Sequence, residues 1–162
     1  MLTPSRHGRT RYLPMTVTTT PTNAAITVTC QCGGVSMSLT GEPAARAMCH
    51  CNACRDFYGS AVLAATAWAP SQVSVTGATH TFVHPSRKMT RRFCPECGET
   101  LHGTNRLDMC VVPNAMLARA HDATLPVSLK PTMHLFYRHR VVDVQDELPK
   151  YLDGWDGPRY GE

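Results

Sequence analysis

Three cysteines, Cys49, Cys51 and Cys54, lie within a single short stretch of the chain. An odd number of thiols is a poor basis for disulfide bonds, because one thiol is always left over. Three thiolates so close together suit one Zn²⁺ ion, which binds cysteine sulfur in tetrahedral geometry. A zinc ion with three protein ligands keeps its fourth position open for water or substrate, as catalytic zinc ions do. The spacing therefore predicts a catalytic metal site at this turn.

A second metal site is predicted at residues 94–98, where the sequence Cys-Pro-Glu-Cys-Gly has the form of a zinc knuckle. Two thiolates of such a turn bind the metal, and the glycine lets the backbone fold beneath the sulfur atoms. One knuckle supplies only two ligands, so the chain must provide a second pair.

Two sources of that pair are open: Cys30 with Cys32, or two of the three cysteines at 49–54. Spacing alone does not choose between them. The first source closes a four-thiolate site and keeps the group of three intact. The second leaves Cys30, Cys32 and Cys49 outside any metal site, with Cys49 far from the other two in sequence. We therefore favour the first.

Composition indicates a globular protein, since 43% of the 162 residues are hydrophobic. The formal net charge of +4 would help to attract an anionic substrate but is well short of a nucleic-acid-binding surface. We find no secretory signal pattern and no apolar run of the roughly 20 residues that a membrane helix needs. We therefore expect a cytoplasmic protein whose eight clustered cysteines bind metal rather than form disulfides.

Short strands are the elements that must position these cysteines. Between residues 25 and 40, apolar and polar residues alternate on either side of Gly33-Gly34, which predicts an antiparallel hairpin with Cys30 and Cys32 at its tip. Further strands are predicted at 61–68, 73–75, 79–83, 90–93, 100–103, 109–112 and 134–137, one helical turn at 52–57 and a short helix at 146–152. The predicted fold class is mainly β, a zinc-stapled antiparallel fold with few short helices.

The N-terminal stretch differs in composition from the rest of the chain. Residues 1–22 are rich in Thr, Pro and Arg and contain no acidic residue. We expect a disordered extension, or a start codon assigned too early with Met15 as the true start, rather than a transit peptide. A single zinc-binding catalytic domain is predicted for residues 23–155, followed by a tail at 156–162.

The cysteine motifs resemble those of the glutathione-dependent formaldehyde-activating enzyme family, which also includes centromere protein V. The resemblance rests on three motifs: Cys30-x-Cys32-Gly-Gly, Cys49-His50-Cys51-x-x-Cys54-Arg55 and Arg92-Phe93-Cys94-x-x-Cys97-Gly98. It implies that Cys30, Cys32, Cys94 and Cys97 hold a structural zinc and that Cys49, Cys51 and Cys54 hold a catalytic one. Cys110 matches no ligand position of the family, and we expect it to be a core residue in a strand.

The activity that the resemblance implies is a carbon–sulfur lyase reaction written in reverse, in which glutathione and formaldehyde condense to S-hydroxymethylglutathione. The expected partners are thus a small thiol such as glutathione and an aldehyde, with zinc as the cofactor at two sites per chain. The alternative is a non-catalytic module in which zinc only builds a scaffold, and a basic cluster at residues 87–92 contacts nucleic acid or a protein.

Basic groups are needed beside the group of three cysteines, because zinc with three thiolates is already negative and glutathione brings further carboxylates. Arg55 directly follows the group, and we predict it as a catalytic residue together with Cys49, Cys51 and Cys54. Arg87, Lys88, Arg91 and Arg92 are further candidates, although surface positions are more common for such residues. His50 is expected to point away from the metal, as a packed or exposed residue rather than a proton shuttle.

The two predicted sites should respond differently to loss of one ligand. A structural zinc contributes about 10–16 kcal/mol of apparent binding free energy, whereas a whole domain is stable by only about 5–15 kcal/mol. Cys97→Ser should therefore unfold the protein or prevent its soluble expression. Cys51→Ser should leave a folded protein that is depleted in zinc. Expression, circular dichroism and metal analysis of both variants check this, and identical behaviour of the two would contradict the division into two sites.

Overall fold

The computed structural model describes residues 25–162, and the extension predicted at 1–22 lies outside the described residues. The fold is mainly β, as predicted. Its strands are β1 (Ile26–Thr29), β2 (Ser36–Leu39), β3 (Ala45–Cys49), β4 (Leu63–Trp68), β5 (Val73–Thr76), β6 (His80–Val83), β7 (Thr90–Phe93), β8 (Thr100–Thr104), β9 (Cys110–Pro113) and β10 (His134–Leu135). The α-helices are α1 (Asn52–Tyr58) and α2 (Asn114–Arg119), and three single turns of 3₁₀ helix lie at Pro70–Gln72, Val127–Leu129 and Tyr137–His139.

The strands form two sheets. A three-stranded antiparallel sheet has the order β1-β2-β5, and a seven-stranded sheet has the order β10-β3-β4-β9-β8-β7-β6. Neighbours in the larger sheet are antiparallel except β10, which pairs with β3 in parallel. The predicted hairpin is present, with Ile26 opposite Leu39 and Thr29 opposite Ser36, so Cys30 and Cys32 lie at its tip.

One hydrophobic core joins the two sheets. The inward-facing side chains of β1 and β2, such as Met37 and Leu39, pack with Trp68 and Leu101 of the larger sheet. Helix α2 contributes Met116 and Leu117, whose side chains are no more than 1% exposed. Period-two alternation in the strands places these residues on one face, so the opposite face of the larger sheet around β3 and β4 stays available for a site.

The helices differ from the prediction at two places. The helix predicted at 146–152 is wrong, because this segment hydrogen-bonds along β10: His134 N–H donates to Pro149 O and Tyr151 N–H donates to His134 O. Asp146 also accepts from the backbone N–H of Leu148, which favours a turn. Helix α2, which has only six residues, was not predicted from the sequence.

The end of the chain returns to the larger sheet. Tyr151 and Arg159 form an isolated antiparallel bridge, and Tyr160 N–H donates to Lys150 O. Within residues 25–162, no helix is long and apolar enough to cross a membrane. The cytoplasmic location stays a prediction.

Candidate metal centres and the adjoining cavity

The cysteines at the hairpin tip meet the cysteines of the knuckle. The sulfur atoms of Cys30, Cys32, Cys94 and Cys97 all lie within 4.8 Å of one another. The Cys30–Cys32 sulfur separation is 3.5 Å and the Cys32–Cys94 separation is 3.6 Å. Four sulfurs bound tetrahedrally to zinc at their usual bond length would be roughly 3.8 Å apart. The donor set and its spacing therefore fit a closed four-thiolate metal site.

Backbone N–H groups are directed at these sulfurs, as thiolate ligands require. Val35 N–H donates to Cys30 Sγ at 3.2 Å. N–H groups of Glu99 and Cys32 directed at Cys97 Sγ lower the pKa of Cys97 to about 6. Gly98 adopts a φ of +71°, a left-handed conformation that glycine adopts readily, and its N–H donates to Cys94 O at 3.0 Å. The knuckle turn therefore has the predicted form.

An ion pair fastens the knuckle to the hairpin. Glu99 accepts from Arg119 Nη2 at 2.8 Å and from the Gln31 backbone N–H at 2.7 Å. Arg119 Nη2 also donates to Thr29 O at 2.8 Å. These bonds hold the knuckle, the hairpin tip and the end of α2 in one place, so the four sulfurs are positioned by polar contacts as well as by the core.

The group of three cysteines is assembled at the junction of β3 and α1. Cys49 ends β3, Cys51 caps the N-terminus of α1 and Cys54 lies in its first turn. Their sulfur atoms also lie within 4.8 Å of one another. Cys51 Sγ accepts from the Cys54 N–H at 3.4 Å, and Gly59 ends the helix in the left-handed conformation. The helical turn predicted at 52–57 is thus present.

The three thiols do not ionise independently. Contact with Cys49 and Cys54 lowers the pKa of Cys51 to about 2, whereas contact with Cys51 and Cys54 raises the pKa of Cys49 far above its usual value. Close thiolates repel one another, so one ionises at the expense of its neighbours. A divalent cation removes this conflict, because its charge stabilises all three thiolates together. The donor set fits a metal ion with an open side.

A cavity of about 580 Å³ opens beside the three cysteines, which contribute to its wall. Its volume is in the range of small-molecule sites. Part of the lining is apolar and comes from the sheet, with Ala45, Ala47, Leu63, Ala65, Ala67 and Val111. The basic part of the lining comprises Arg87, Lys88, Arg91 and Arg106. A ligand in this cavity would meet sulfur, cationic groups and an apolar surface.

Arg91 is the basic residue that reaches the cysteines. It is only 4% exposed, and its Nη2 lies 3.9 Å from Cys54 Sγ. Its guanidinium lies 5.2 Å from the ring centre of Phe57 and 5.3 Å from that of Tyr58, at cation–π distance. A side chain at Gly103 would place its Cβ 2.5 Å from Arg91 Nη1, so this glycine makes room for the guanidinium. Arg91 could not be singled out from the sequence, because neither its burial nor this close approach is visible in local sequence.

Arg55, the basic residue that the sequence favoured, is placed differently. Its Nη2 donates to Asn52 Oδ1 at 2.8 Å, and Arg55 is not among the residues that line the cavity. Lys88 pairs with Asp108 at 2.9 Å on the surface, and Arg92 is half-buried on β7. Since Arg91 is buried, residues 87–92 do not present one continuous basic surface.

His50 belongs to a buried polar chain behind the three cysteines. His50 and His134 are both fully buried, and His50 Nε2 lies 2.9 Å from His134 Nδ1. His134 Nε2 lies 2.9 Å from Asp146 Oδ2, and Lys150 donates to the same carboxylate at 2.8 Å. An ionised carboxylate only accepts, so His134 donates to Asp146. Burial and the neighbouring His134 lower the pKa of His50 to about 4, so His50 is a neutral, packed residue.

Cys110 lies apart from both groups of cysteines. It begins β9 and is 6% exposed. Burial raises the pKa of its thiol, which keeps the thiol protonated and unreactive. Its position is that of the core residue in a strand that the sequence predicted.

Comparison with known proteins identifies a family and similar solved structures. The model of the glutathione-dependent formaldehyde-activating enzyme family matches residues 25–139. A solved structure of a Rhodobacter sphaeroides protein is 26% identical, covers 65% of this chain and 97% of its own, and has a TM-score of 0.46. No protein with a curated description matches at a significant level.

The buried polar chain behind Cys49 and Cys51 should be important for stability. His134→Ala removes the hydrogen-bond partner of His50 Nε2 and one of the partners of Asp146, and it leaves a cavity at a fully buried position. Because buried polar groups without partners are costly, we expect the free energy of unfolding to fall by about 2–4 kcal/mol. Urea unfolding followed by circular dichroism measures this change.

His139→Ala is the matched control, since His139 is exposed. Its free energy of unfolding should change by no more than about 0.5 kcal/mol. Equal midpoints for the two variants would show that the chain from His50 to Asp146 does not stabilise the fold.

Proposed function

This chain belongs to the glutathione-dependent formaldehyde-activating enzyme family, and from that premise we propose that it is a zinc-dependent, carbon–sulfur lyase-like enzyme. The proposed substrate is a thiol–aldehyde adduct, with glutathione and formaldehyde as the reference pair. The family model matches more than half of the chain, so the resemblance noted in the three cysteine motifs is confirmed. The reaction, the metal and the roles of individual residues are our proposal.

The observation on which the proposal mainly rests is the difference between the two cysteine groups. The four sulfurs of one group can saturate a tetrahedral ion, whereas the three sulfurs of the other leave one position free. The group of three also lines the 580 Å³ cavity, which gives a substrate access to that position. All seven donors are thiolates, and such soft ligands favour zinc over magnesium or calcium.

The chemistry can be stated from the residues. Zinc held by Cys49, Cys51 and Cys54 would lower the pKa of a substrate thiol and so supply a thiolate nucleophile at neutral pH. Arg91 would stabilise the negative charge that collects at the sulfurs, because its guanidinium is buried beside Cys54. Arg55 remains a predicted catalytic residue, one that would act from the adjoining turn of α1.

The reaction needs no oxidant or reductant. The thiol sulfur attacks the carbonyl carbon, a carbon–sulfur bond forms, and the proton that the thiol gives up ends on the former carbonyl oxygen. The reverse reaction returns the thiol and the aldehyde. The cavity walls would hold the two reactants together and lower the entropic cost of their encounter. Arg87 and Arg106 on the cavity wall would attract the carboxylates of glutathione.

The alternative, a zinc scaffold that binds nucleic acid or a protein through residues 87–92, has less support. Arg91 is 4% exposed, and both Arg87 and Lys88 line the cavity. Binding of nucleic acid by phosphate contacts needs several accessible cations on one face. The segment is better suited to a small anionic ligand.

Metal analysis and an exchange measurement test the proposed function. We expect about two zinc ions per wild-type chain and faster exchange between free and adduct-bound formaldehyde in the presence of glutathione, observed by two-dimensional NMR. Cys51→Ser should lose about half of the zinc and the rate enhancement, because the three-thiolate site loses a ligand.

Cys110→Ser is the matched control, since Cys110 lies outside both cysteine groups. It should retain both the zinc content and the exchange enhancement. Two zinc ions per chain without any enhancement of exchange would leave the metal sites intact and contradict the proposed reaction with this substrate pair.

A further inference from the structure

The cavity floor is one face of the larger sheet. Register places Ala45 opposite Ala67 and Ala47 opposite Ala65 across β3 and β4, and all four residues line the cavity. Cys49 is the next residue of β3 on the same face. The floor therefore leads directly from the three cysteines along the two strands, and Val111 continues it on β9, opposite Ala67.

The floor is too long for a one-carbon group. From Cys49 to Ala45 the strand advances by about 14 Å at the usual rise of an antiparallel strand. The four alanines have no side chain beyond Cβ, so they leave space above the sheet. An adduct of formaldehyde adds one carbon to the thiol sulfur, and that carbon alone would not fill the space above these alanines.

The part of the cavity lining that Arg91 provides has another character. Arg91 is 96% buried, and no carboxylate among residues 25–162 lies within ion-pair distance of it. Its Nε has no hydrogen-bond partner in the described part of the protein. A buried guanidinium is costly unless an anion accompanies it. The cavity thus has a cationic group, which the Cys54 thiolate and an anionic group of a ligand could share, in addition to its apolar floor.

Resting on the proposed function, we propose that the aldehyde component of the substrate is an apolar aldehyde larger than formaldehyde, whose alkyl or aryl group lies on the alanine floor. The thiol sulfur lies at the three cysteines, and the anionic part of the thiol component faces Arg91. The bond changes are those given above: a carbon–sulfur bond forms, and the thiol proton passes to the carbonyl oxygen.

Stable thioether analogues of the adduct test this assignment without turnover. S-methylglutathione represents the formaldehyde adduct, and S-hexylglutathione represents the adduct of a six-carbon aldehyde. Each buried methylene tightens binding by about fourfold when it leaves water completely. With partial burial we expect S-hexylglutathione to bind wild-type, zinc-loaded protein at least about tenfold more tightly than S-methylglutathione in isothermal titration calorimetry.

Filling the floor should remove this preference. Ala47→Leu places a bulky side chain on the floor near Cys49, so S-hexylglutathione should lose its advantage over S-methylglutathione. Ala115→Leu is the matched control, because Ala115 is exposed on α2 and does not line the cavity. If Ala47→Leu does not fold, Ala65→Val makes a smaller change to the same floor.

The outcomes separate this proposal from the proposed function. Equal or weaker binding of S-hexylglutathione to the wild type overturns the apolar-aldehyde assignment, and so does a tenfold preference that survives Ala47→Leu. Enhanced formaldehyde exchange together with equal binding of the two analogues would keep the proposed function and reject the larger substrate. A preference for S-hexylglutathione without formaldehyde exchange would support the larger substrate and reject formaldehyde.

Discussion

Repulsion between closely placed thiolates is the constraint on which this structure depends. Seven cysteine sulfurs are gathered into two groups, each no more than 4.8 Å across. Cys32 and Cys94 are 62 positions apart in sequence, and yet their sulfurs are 3.6 Å apart. Such groups keep their sulfurs ionised together only with a cation between them. Metal binding at these groups would therefore be coupled to folding, since the unfolded chain does not bring the sulfurs together.

The two groups place this constraint at two separate sites of the same scaffold. The hairpin of β1 and β2, the knuckle and α2 surround the group of four with core residues and with the Glu99–Arg119 ion pair. The group of three lies at the edge of a cavity, with Arg91 on one side and the buried His50–His134 pair behind it. The group of four thus offers a full set of tetrahedral donors, with Cys32 exposed at the surface, whereas the group of three offers one donor fewer and lies beside the cavity.

Local patterns in the sequence were sufficient for the mainly β fold class, for the hairpin and for the helical turn after Cys51, because period two, glycine pairs and close cysteines act over a few residues. The structure places the cysteine sulfurs in the same two groups that the sequence favoured, the division that leaves none of the seven outside a group, while metal ligation itself stays a proposal. The prediction failed at 146–152, where pairing with His134 outweighed helix propensity. The burial of Arg91 could not be predicted, because it depends on Gly103 across the β7–β8 pair. The alanine floor likewise depends on the register of β3 with β4.

The central claim is that one zinc site is closed and the other has an open position. Zinc X-ray absorption spectroscopy of the purified protein measures this directly, because it counts the sulfur atoms around the metal. The account predicts an average of about 3.5 sulfur ligands per zinc ion without substrate, from four at one site and three at the other. Added glutathione should raise that average toward four. An average of four sulfurs in the absence of any added thiol, or no change on adding glutathione, would contradict the open site.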